Sequence, residues 1–194
     1  MHAKLAPEDQ MTIEEFLAMT EQCPDGERWA LIEGVAIKNA TPTDYHQYIA
    51  TNIASFLLVA GRQQGATWRP MMGVGTRVPI SPNSLPQPDV MVKEAQLTGT
   101  SVSDESLVLF EILSTSNTVS DQARRRRVYA SVPNWQHYAT VSQKKIEVVR
   151  YDRSTNWKVT TLRDLTHSLD LSALVVQMPV CEIYRGTPLA TAYR

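Results

Sequence analysis

The sequence predicts an α/β fold with one central mixed β-sheet. The predicted elements follow the order helix, hairpin, long helix, several strands, helix and further strands. One of the helices lies between a strand around Glu111 and a strand around Trp135. Because such a crossover connects parallel strands, whereas hairpins connect antiparallel ones, we expect the sheet to be mixed.

Capping and turn residues mark the N-terminal elements. Thr12 and Glu15 have the Thr-x-x-Glu spacing of a capping box, which predicts a helix start. Gly34 separates two strand-like segments, which predicts a hairpin. A long helix is expected to begin near residues 41–43 and to end at Gly65. Its apolar residues follow i, i+3, i+4 spacing and predict a stripe facing the sheet: Tyr45, Tyr48, Ile49, Ile53, Phe56, Leu57 and Ala60.

The C-terminal half is expected to add strands around one further helix. Ser120 or Asp121 is predicted to cap that helix, which extends to about Val132. The other predicted elements are strands around Asp89 and Glu111, a strand at 135–141, a hairpin formed by 145–151 and 157–162, and, over 165–194, a short apolar segment with a weakly structured tail.

Length and composition limit the number of domains and the ways in which the chain could bind nucleic acid. The chain has 194 residues, which fits one domain at 11–194 preceded by a flexible leader at 1–10. A hydrophobic fraction of 43% is enough to fill a core. The net charge of −1 excludes a global basic field, so nucleic-acid binding would have to use a local patch.

Cysteine usage and hydropathy predict a cytoplasmic protein. Cys23 and Cys181 lie far apart and fit neither a disulfide framework nor the spacing of metal ligands. They are expected to be thiols in a reducing cytoplasm. The N-terminus lacks the apolar core of a signal peptide, and no stretch approaches the roughly 20 apolar residues of a membrane span.

Asp89 and Glu111 each lie in a segment that otherwise has the apolar composition of a buried strand. An ionised carboxylate buried there without a partner would cost on the order of several kcal/mol. If the two strands are neighbours, both acids reach one point and can share a cation. Mg²⁺, which keeps several waters and takes one or two acidic ligands, is the predicted partner. The alternative is a pair of strand-end acids that are solvated or paired with arginine.

Four consecutive arginines lie on the predicted helix that follows Glu111. Arg125 shares a helix face with Val128 and Tyr129, so it is expected to point towards the sheet near Glu111. In the functional interpretation Arg125 stabilises charge on a phosphate while its neighbours bind a nucleic-acid backbone. Those neighbours are Arg124, Arg126 and Arg127. The alternative is a salt bridge to an acid together with a solvated basic face.

Two further residues are placed where they would approach the carboxylate pair. Glu33 lies beside Gly34 at a strand end, and His46 lies on the first turn of the long helix. A single histidine near a helix start is more often a surface or capping residue, so that alternative stays open for His46.

Seven segments, in order and with matching spacing, resemble the Uma-type restriction-endonuclease-like proteins, a bacterial branch of the PD-(D/E)XK nuclease superfamily. The resemblance covers roughly residues 11–165. The segments are Met11–Leu17, Leu31–Gly34, His46–Gln47, Gln87–Val92, Phe110–Ser114, Asp121–Tyr129 and Val132–Tyr138.

The resemblance implies a restriction-endonuclease-like core with an added N-terminal helix and hairpin. It implies hydrolysis of phosphodiester bonds in nucleic acid, with DNA as the expected substrate and Mg²⁺ as the cofactor, for which Mn²⁺ can substitute. Asp89 and Glu111 would be the metal ligands, and Glu33 would be an additional acid of the site. A cytoplasmic homodimer is expected, because two sites suit the cutting of two strands.

The catalytic lysine of the family has no counterpart in this sequence. In the superfamily this lysine is expected two residues after the second acid, a position that is Leu113 here. In this branch it usually lies four residues before a helix tyrosine instead; here the tyrosine is Tyr129 and that position is Arg125. Arginine does not deprotonate near neutral pH, although it can stabilise charge or orient a water. Two alternatives to an active nuclease therefore stay open: an inactive nuclease-fold protein that acts as a binding module, and a purely structural protein whose acids are salt-bridged.

Overall fold

The computed structural model describes residues 10–79, 81–94, 96–103, 105–114, 119–131 and 134–191. The predicted leader lies outside these residues apart from Gln10. The helices are α1 (Ile13–Glu21), α2 (Asp44–Gln64), α3 (Val119–Ala130), α4 (Val180–Ile183) and α5 (Pro188–Thr191). The strands are β1 (Trp29–Ile32), β2 (Val35–Lys38), β3 (Trp68–Met71), β4 (Gly75–Thr76), β5 (Val90–Glu94), β6 (Val102–Ser103), β7 (Val108–Leu113), β8 (His137–Ser142), β9 (Val148–Asp152), β10 (Lys158–Leu162), β11 (Ser168–Leu171) and β12 (Val176–Pro179). No helix within these residues combines the length and the apolar character needed to cross a membrane.

A six-stranded sheet with the order β10-β9-β8-β7-β5-β3 forms the centre of the fold. β7 and β8 are parallel, as predicted for the two strands that α3 connects. The other neighbouring pairs in this sheet are antiparallel, and β9 and β10 form the predicted hairpin. The prediction of a mixed α/β fold is confirmed.

Buried side chains form a layer on each face of this sheet. One layer packs α2 and the C-terminal segment against residues such as Val90 and Phe110. The other layer packs α3 and β1 against Met91 and Leu109. Because successive residues of a strand point to opposite faces, Glu111 shares the face of Leu109 and points towards α3.

The N-terminal capping box and hairpin are confirmed. Thr12 Oγ1 accepts a hydrogen bond from Glu15 N at 3.2 Å, and Glu15 Oε2 accepts one from Thr12 N at 2.8 Å. β1 and β2 pair antiparallel, and their connection consists of Glu33 and Gly34, with φ angles of 49° and 76°. Two consecutive positive φ angles are typical of the tight hairpin turn that matches the twist of its strands.

Helix α2 begins and ends as predicted, but its buried stripe differs. The Thr43 side chain caps its start, and Gly65, with a φ of 61°, ends it. Tyr45 and Tyr48 are 45% and 50% exposed, so the prediction that they face the sheet is wrong. The prediction counted tyrosine as apolar and histidine as polar. Tyrosine is often exposed in proteins, whereas His46 is buried here. The buried face consists of His46, Ile49, Ala50, Ile53, Leu57 and Gly61.

The bounds of α3 and β8 differ slightly from the prediction. α3 begins at residue 119, before Ser120 and Asp121, whose side chains, predicted as caps, lie outside the described part of the chain. Val132, the predicted end of the helix, also lies outside it. β8 begins at His137, so Trp135 precedes the strand and packs its fully buried ring against the α3 side of the sheet.

Residues 165–191, predicted as a short apolar segment at 171–180 and a weakly structured tail, contain more regular structure than predicted. β11 and β12 form an antiparallel hairpin, which α4 follows. Leu169, Met178 and Ile183 are fully buried in the same layer as α2. The two strands have only 4 residues each, and segments this short give too little periodicity for a prediction.

Tyr184 anchors this C-terminal segment to the turn between β8 and β9. Its hydroxyl lies 2.9 Å from the carbonyl oxygen of Ser142 and 3.0 Å from that of Glu147, and it accepts a hydrogen bond from Glu147 N at 3.1 Å. Burial raises the pKa of Tyr184 to about 12, so the hydroxyl stays a donor at neutral pH.

We predict that Tyr184→Phe lowers the free energy of unfolding by about 1–3 kcal/mol, because buried backbone groups lose their partner while the ring remains. Urea unfolding followed by circular dichroism measures the change. Tyr45→Phe is the matched control, since Tyr45 is 45% exposed, and it is expected to have a much smaller effect. Equal losses in the two variants would contradict the anchoring role of Tyr184.

Candidate active site

The two predicted acids lie opposite each other at one end of the central sheet. Asp89 immediately precedes β5, and Glu111 is part of β7. The antiparallel register that pairs Val90 with Phe110 places Asp89 across from Glu111. Their exposed fractions are 8% and 9%, and both line one cavity of about 230 Å³. The structure therefore brings the two carboxylates to one point, as their strands predict.

The cavity lies between β2, the start of α2 and the start of α3. Among the described residues, its cationic lining side chains are Arg28, Lys38, Arg124 and Arg125, and its acidic ones are Asp89 and Glu111. Cations therefore outnumber the carboxylates in the wall. Lys38 and Arg124 also form ion pairs with Glu27 and Glu33, which lie outside the lining. The wall therefore presents cationic side chains to the cavity while their charge is partly compensated from behind.

Asp89 is held by three partners. Its Oδ2 accepts a hydrogen bond from Ile112 N at 2.8 Å and lies 3.3 Å from His46 Nε2. Its Oδ1 lies 3.3 Å from Arg28 Nη2. Burial alone would raise the pKa of Asp89, but the hydrogen bond and charge of His46, together with Ile112 N–H and Arg28, outweigh it and hold that pKa below its usual value. Asp89 is therefore ionised at neutral pH.

Glu111 uses one of its two oxygens for hydrogen bonds within the protein. Its Oε1 accepts from Arg125 Nη1 at 3.0 Å and from the Tyr129 hydroxyl at 2.6 Å. Its Oε2 makes no hydrogen bond to a described residue. Burial raises the pKa of Glu111; Arg125 and Tyr129 oppose the rise, and the charge of Asp89 adds to it. The environments of the two acids thus move their pKa values in opposite directions.

Arg125 points inward, as its helix face predicts, and is 9% exposed. Its second terminal nitrogen, Nη2, donates to Asn39 Oδ1 at 2.8 Å, just after the end of β2. The charge of Glu111 raises the pKa of Arg125 above its usual value, so the guanidinium is a permanent cation. Its two hydrogen bonds fix its position relative to both β7 and the β1–β2 hairpin.

Glu33 is joined to the cavity indirectly. It lies in the turn between β1 and β2, outside the cavity lining, where Arg124 Nε donates to its Oε2 at 2.9 Å. Arg124 itself lines the cavity. Glu33 therefore positions a cation of the wall and does not face the carboxylate pair.

The other predicted nucleic-acid-binding residues occupy two different places. His46 is 6% exposed and contacts Asp89, so the alternative of a surface residue is wrong for it. Arg126 and Arg127 are exposed on the outer side of α3 and line a separate cavity. The arginine run thus divides between two surfaces of the same helix.

Three side chains that contact the predicted site residues have no counterpart in the sequence prediction of the site. They are Arg28, Asn39 and Tyr129. Tyr129 follows Arg125 by one helical turn on the same face, and this i, i+4 spacing is the signal that would have found it. Arg28 and Asn39 flank the β1–β2 hairpin, where no local pattern marks them as part of a site.

We predict that Arg125→Met lowers the free energy of unfolding by about 3–5 kcal/mol at neutral pH, because Glu111 stays buried without its counter-charge. The variant is expected to raise the pKa of Glu111 in the folded state further. Because the carboxyl is then harder to ionise in the folded than in the unfolded protein, folding is destabilised at pH values above the unfolded-state pKa. The loss should therefore shrink as the pH falls towards the ordinary glutamate pKa of 4.5.

Chemical denaturation at several pH values measures this dependence, with the exposed Arg127→Met as the matched control. A loss in Arg125→Met that is the same at every pH would contradict the role of Arg125 as the counter-charge of Glu111.

Comparison with known proteins identifies the fold and the family. A solved structure titled "Crystal structure of a putative nuclease belonging to DUF820 from Anabaena variabilis ATCC 29413" matches with a TM-score of 0.73 at 13% sequence identity, over 89% of this chain and 97% of that chain. At this identity the likeness shows the fold. None of the curated proteins matches the chain. The family model described as "Uma2: Putative restriction endonuclease" matches residues 13–180. Because the match spans well over half of the sequence, the chain belongs to the Uma2 family of restriction-endonuclease-like proteins.

Proposed function

We propose that this protein is a metal-dependent nuclease that hydrolyses phosphodiester bonds. The observation that carries the proposal is the placement of Asp89 and Glu111 in one cavity whose remaining charged lining is cationic. Two carboxylates supply metal ligands, and the surrounding cations suit the negative charge of a phosphodiester. Membership of a family described as "Putative restriction endonuclease" supports the same activity.

The carboxylates fit Mg²⁺ better than a metal that needs an all-protein cage. No group of three or more His, Cys, Asp or Glu side chains among the described residues is arranged to hold a metal, whereas Mg²⁺ takes one or two carboxylates and keeps several waters. Glu111 Oε2 makes no hydrogen bond to a described residue, and Asp89 Oδ1 has a 3.3 Å contact with Arg28. These two oxygens would bind Mg²⁺, for which Mn²⁺ would substitute.

A bound Mg²⁺ would lower the pKa of a coordinated water and neutralise charge on the phosphate. The residues of the chain would position the substrate. The side chains of Arg28 and Arg124 are 28% and 25% exposed, so they can reach phosphate oxygens from the cavity wall. Arg125, which is fixed beside Glu111, would stabilise the negative charge that develops during hydrolysis.

The remaining predicted residues would act around this centre. His46 would orient Asp89 through its Nε2 contact, and Glu33 would orient Arg124. We propose DNA as the substrate, with Arg126 and Arg127 contacting the backbone of a longer strand. A homodimer would bring two sites to two strands. The free thiols of the chain are consistent with a cytoplasmic location.

We predict that Glu111→Gln reduces cleavage by at least about 100-fold, because it removes a ligand charge while keeping the side-chain shape. Plasmid DNA and short single-stranded DNA and RNA, with Mg²⁺ or Mn²⁺, are the substrates. Calorimetric metal titration should show weaker binding in parallel. Glu94→Gln is the matched control, because Glu94 is an exposed acid at the other end of β5. Undiminished metal binding by Glu111→Gln would count against the proposal.

A specific observation favours a second candidate function, a nuclease-fold protein that binds nucleic acid without cutting it. Each carboxylate already has an arginine counter-charge, Arg28 for Asp89 and Arg125 for Glu111. The arrangement is therefore electrically compensated without a metal. Moreover, Arg125 cannot give up a proton near neutral pH as the lysine of the family can.

We predict that Arg125→Lys separates the two functions. Lysine keeps the cation beside Glu111 and adds a group that can titrate. The nuclease proposal expects the parent to cleave DNA and the variant to remain active. The binding-module function expects an inactive parent and a gain of at least about tenfold over background in the variant, since general acid–base help is worth that much or more. Arg126→Lys, on the outer side of α3, is the matched control.

A further inference from the structure

A second cavity, of about 380 Å³, lies on the outer side of α3. The chemistry proposed for Asp89 and Glu111 does not use it. Residues of α3, among them Arg126 and Arg127, form one side, and side chains of β8, β9, β10 and the β9–β10 turn form the other. The side chains that matter most on that second side are Tyr138, Tyr151, Trp157 and Val159.

The wall of this cavity is aromatic and partly open to solvent. Tyr138 is buried and stacks on Tyr151, with ring centroids 5.6 Å apart and an interplanar angle of 26°. Tyr151 and Trp157 are half-buried, and Val159 is 51% exposed. The guanidinium of Arg153 lies 4.9 Å from the Trp157 ring centroid. Flat aromatic surfaces at the mouth of a cavity are suited to a planar ring as ligand.

The backbone at Trp157 is strained in a way that holds its ring at the cavity. Trp157 has a φ of 62°, directly after Asn156 with a φ of 55°. Positive φ is an outlier for a bulky side chain, although asparagine adopts it more readily. The hydrogen bond from Trp157 N to Asp152 O, at 2.8 Å, fixes this conformation in the β9–β10 turn. Strain of this kind at a concave site points to a functional role.

The cationic side of the cavity complements a phosphate. Arg126 Nη1 lies 3.2 Å from the Tyr151 hydroxyl, and its guanidinium lies 5.4 Å from the Tyr151 ring centroid. Arg127 is exposed, and none of the described residues forms a hydrogen bond or an ion pair with its side chain. A guanidinium without a partner among the described residues, next to aromatic rings, matches a nucleotide, which combines a planar base with an anionic phosphate.

We propose that this second cavity binds an unpaired nucleotide of a nucleic-acid strand. Its base would stack on the half-buried Trp157 ring, and its phosphate would contact Arg127. The occupant must be unpaired, because the faces of the bases in a duplex are covered by their neighbours. Arg124 and Arg125 of the same helix line the first cavity, so α3 contributes arginines to both cavities. The inference rests on the proposed function and names its substrate as a strand with unpaired nucleotides.

The test compares two strands of equal length that carry the same phosphates, one with bases and one made of abasic residues. Fluorescence anisotropy of dye-labelled strands in EDTA measures their affinity for the full chain without cleavage. The parent is expected to prefer the strand with bases by about tenfold or more, since stacking one base on an aromatic ring is worth that much.

Trp157→Gly is the informative variant. Glycine accepts positive φ without strain, so the ring is removed without disturbing the turn, and a thermal melt checks that the fold is kept. This variant is expected to lose the preference for bases. Lys158→Ala, an exposed neighbour outside the cavity lining, should keep it while both affinities fall equally. A parent without a preference, or a Trp157→Gly variant that keeps it, would overturn the proposal.

Cleavage of the same strands with Mg²⁺ separates this inference from the proposed function. If the parent cleaves the strands but shows no preference for bases, nucleotide binding in the second cavity is contradicted and the proposed nuclease activity is supported. A preference for bases that depends on Trp157, in a parent that cuts no strand, would support the cavity and overturn the nuclease.

Discussion

The burial of Glu111 is the constraint on which the site depends. A carboxylate in the middle of an apolar strand must be compensated where it lies, and leaving it uncompensated would cost several kcal/mol, on the order of a large part of the stability of a domain. Arg125 and Tyr129 supply that compensation from one face of α3, through two hydrogen bonds to the same oxygen. The other oxygen makes no hydrogen bond to a described residue, and Glu111 lines the cavity. The compensation of one buried charge therefore ties α3 to β7 and fixes the position of the Glu111 carboxylate.

The same interaction couples the central sheet to the N-terminal hairpin. Arg125 contacts Asn39 with its second nitrogen, and Arg124 contacts Glu33 in the hairpin turn. Two neighbouring arginines thus hold the β1–β2 hairpin over the end of the sheet, where it forms a wall of the cavity. The hairpin is therefore part of the candidate site through these polar contacts, although its sequence contains no pattern that predicts them.

Sequence periodicity was informative wherever a functional residue lies on a regular element. Asp89 and Glu111 follow from strand composition, and Arg125 follows from a helix face, because period and direction are fixed within such elements. Arg28 and Asn39 could not be predicted, since their partners depend on how a hairpin packs against a distant strand. On α2 the prediction fails for a different reason: hydrophobicity ranks Tyr45 and Tyr48 above His46, whereas the contact between His46 Nε2 and Asp89 Oδ2 stabilises His46 in a buried position. The C-terminal hairpin of β11 and β12 was not predicted, because its strands are too short to show a hydrophobic periodicity.

The position of Arg125 bears on how charge is divided in the site. Both of its terminal nitrogens donate within the protein, to Glu111 and to Asn39, so it acts as a fixed charge and has little freedom to follow a substrate. In the proposed nuclease, the contacts that form and break with each substrate would be made by the more exposed Arg28 and Arg124. A lysine at position 125 would have neither the planar fork that spans two acceptors nor the same permanence of charge. Arginine at this position replaces a titratable group with a rigid connection between β7 and the hairpin. In the proposed nuclease, the attacking water would therefore have to be activated by a group other than residue 125.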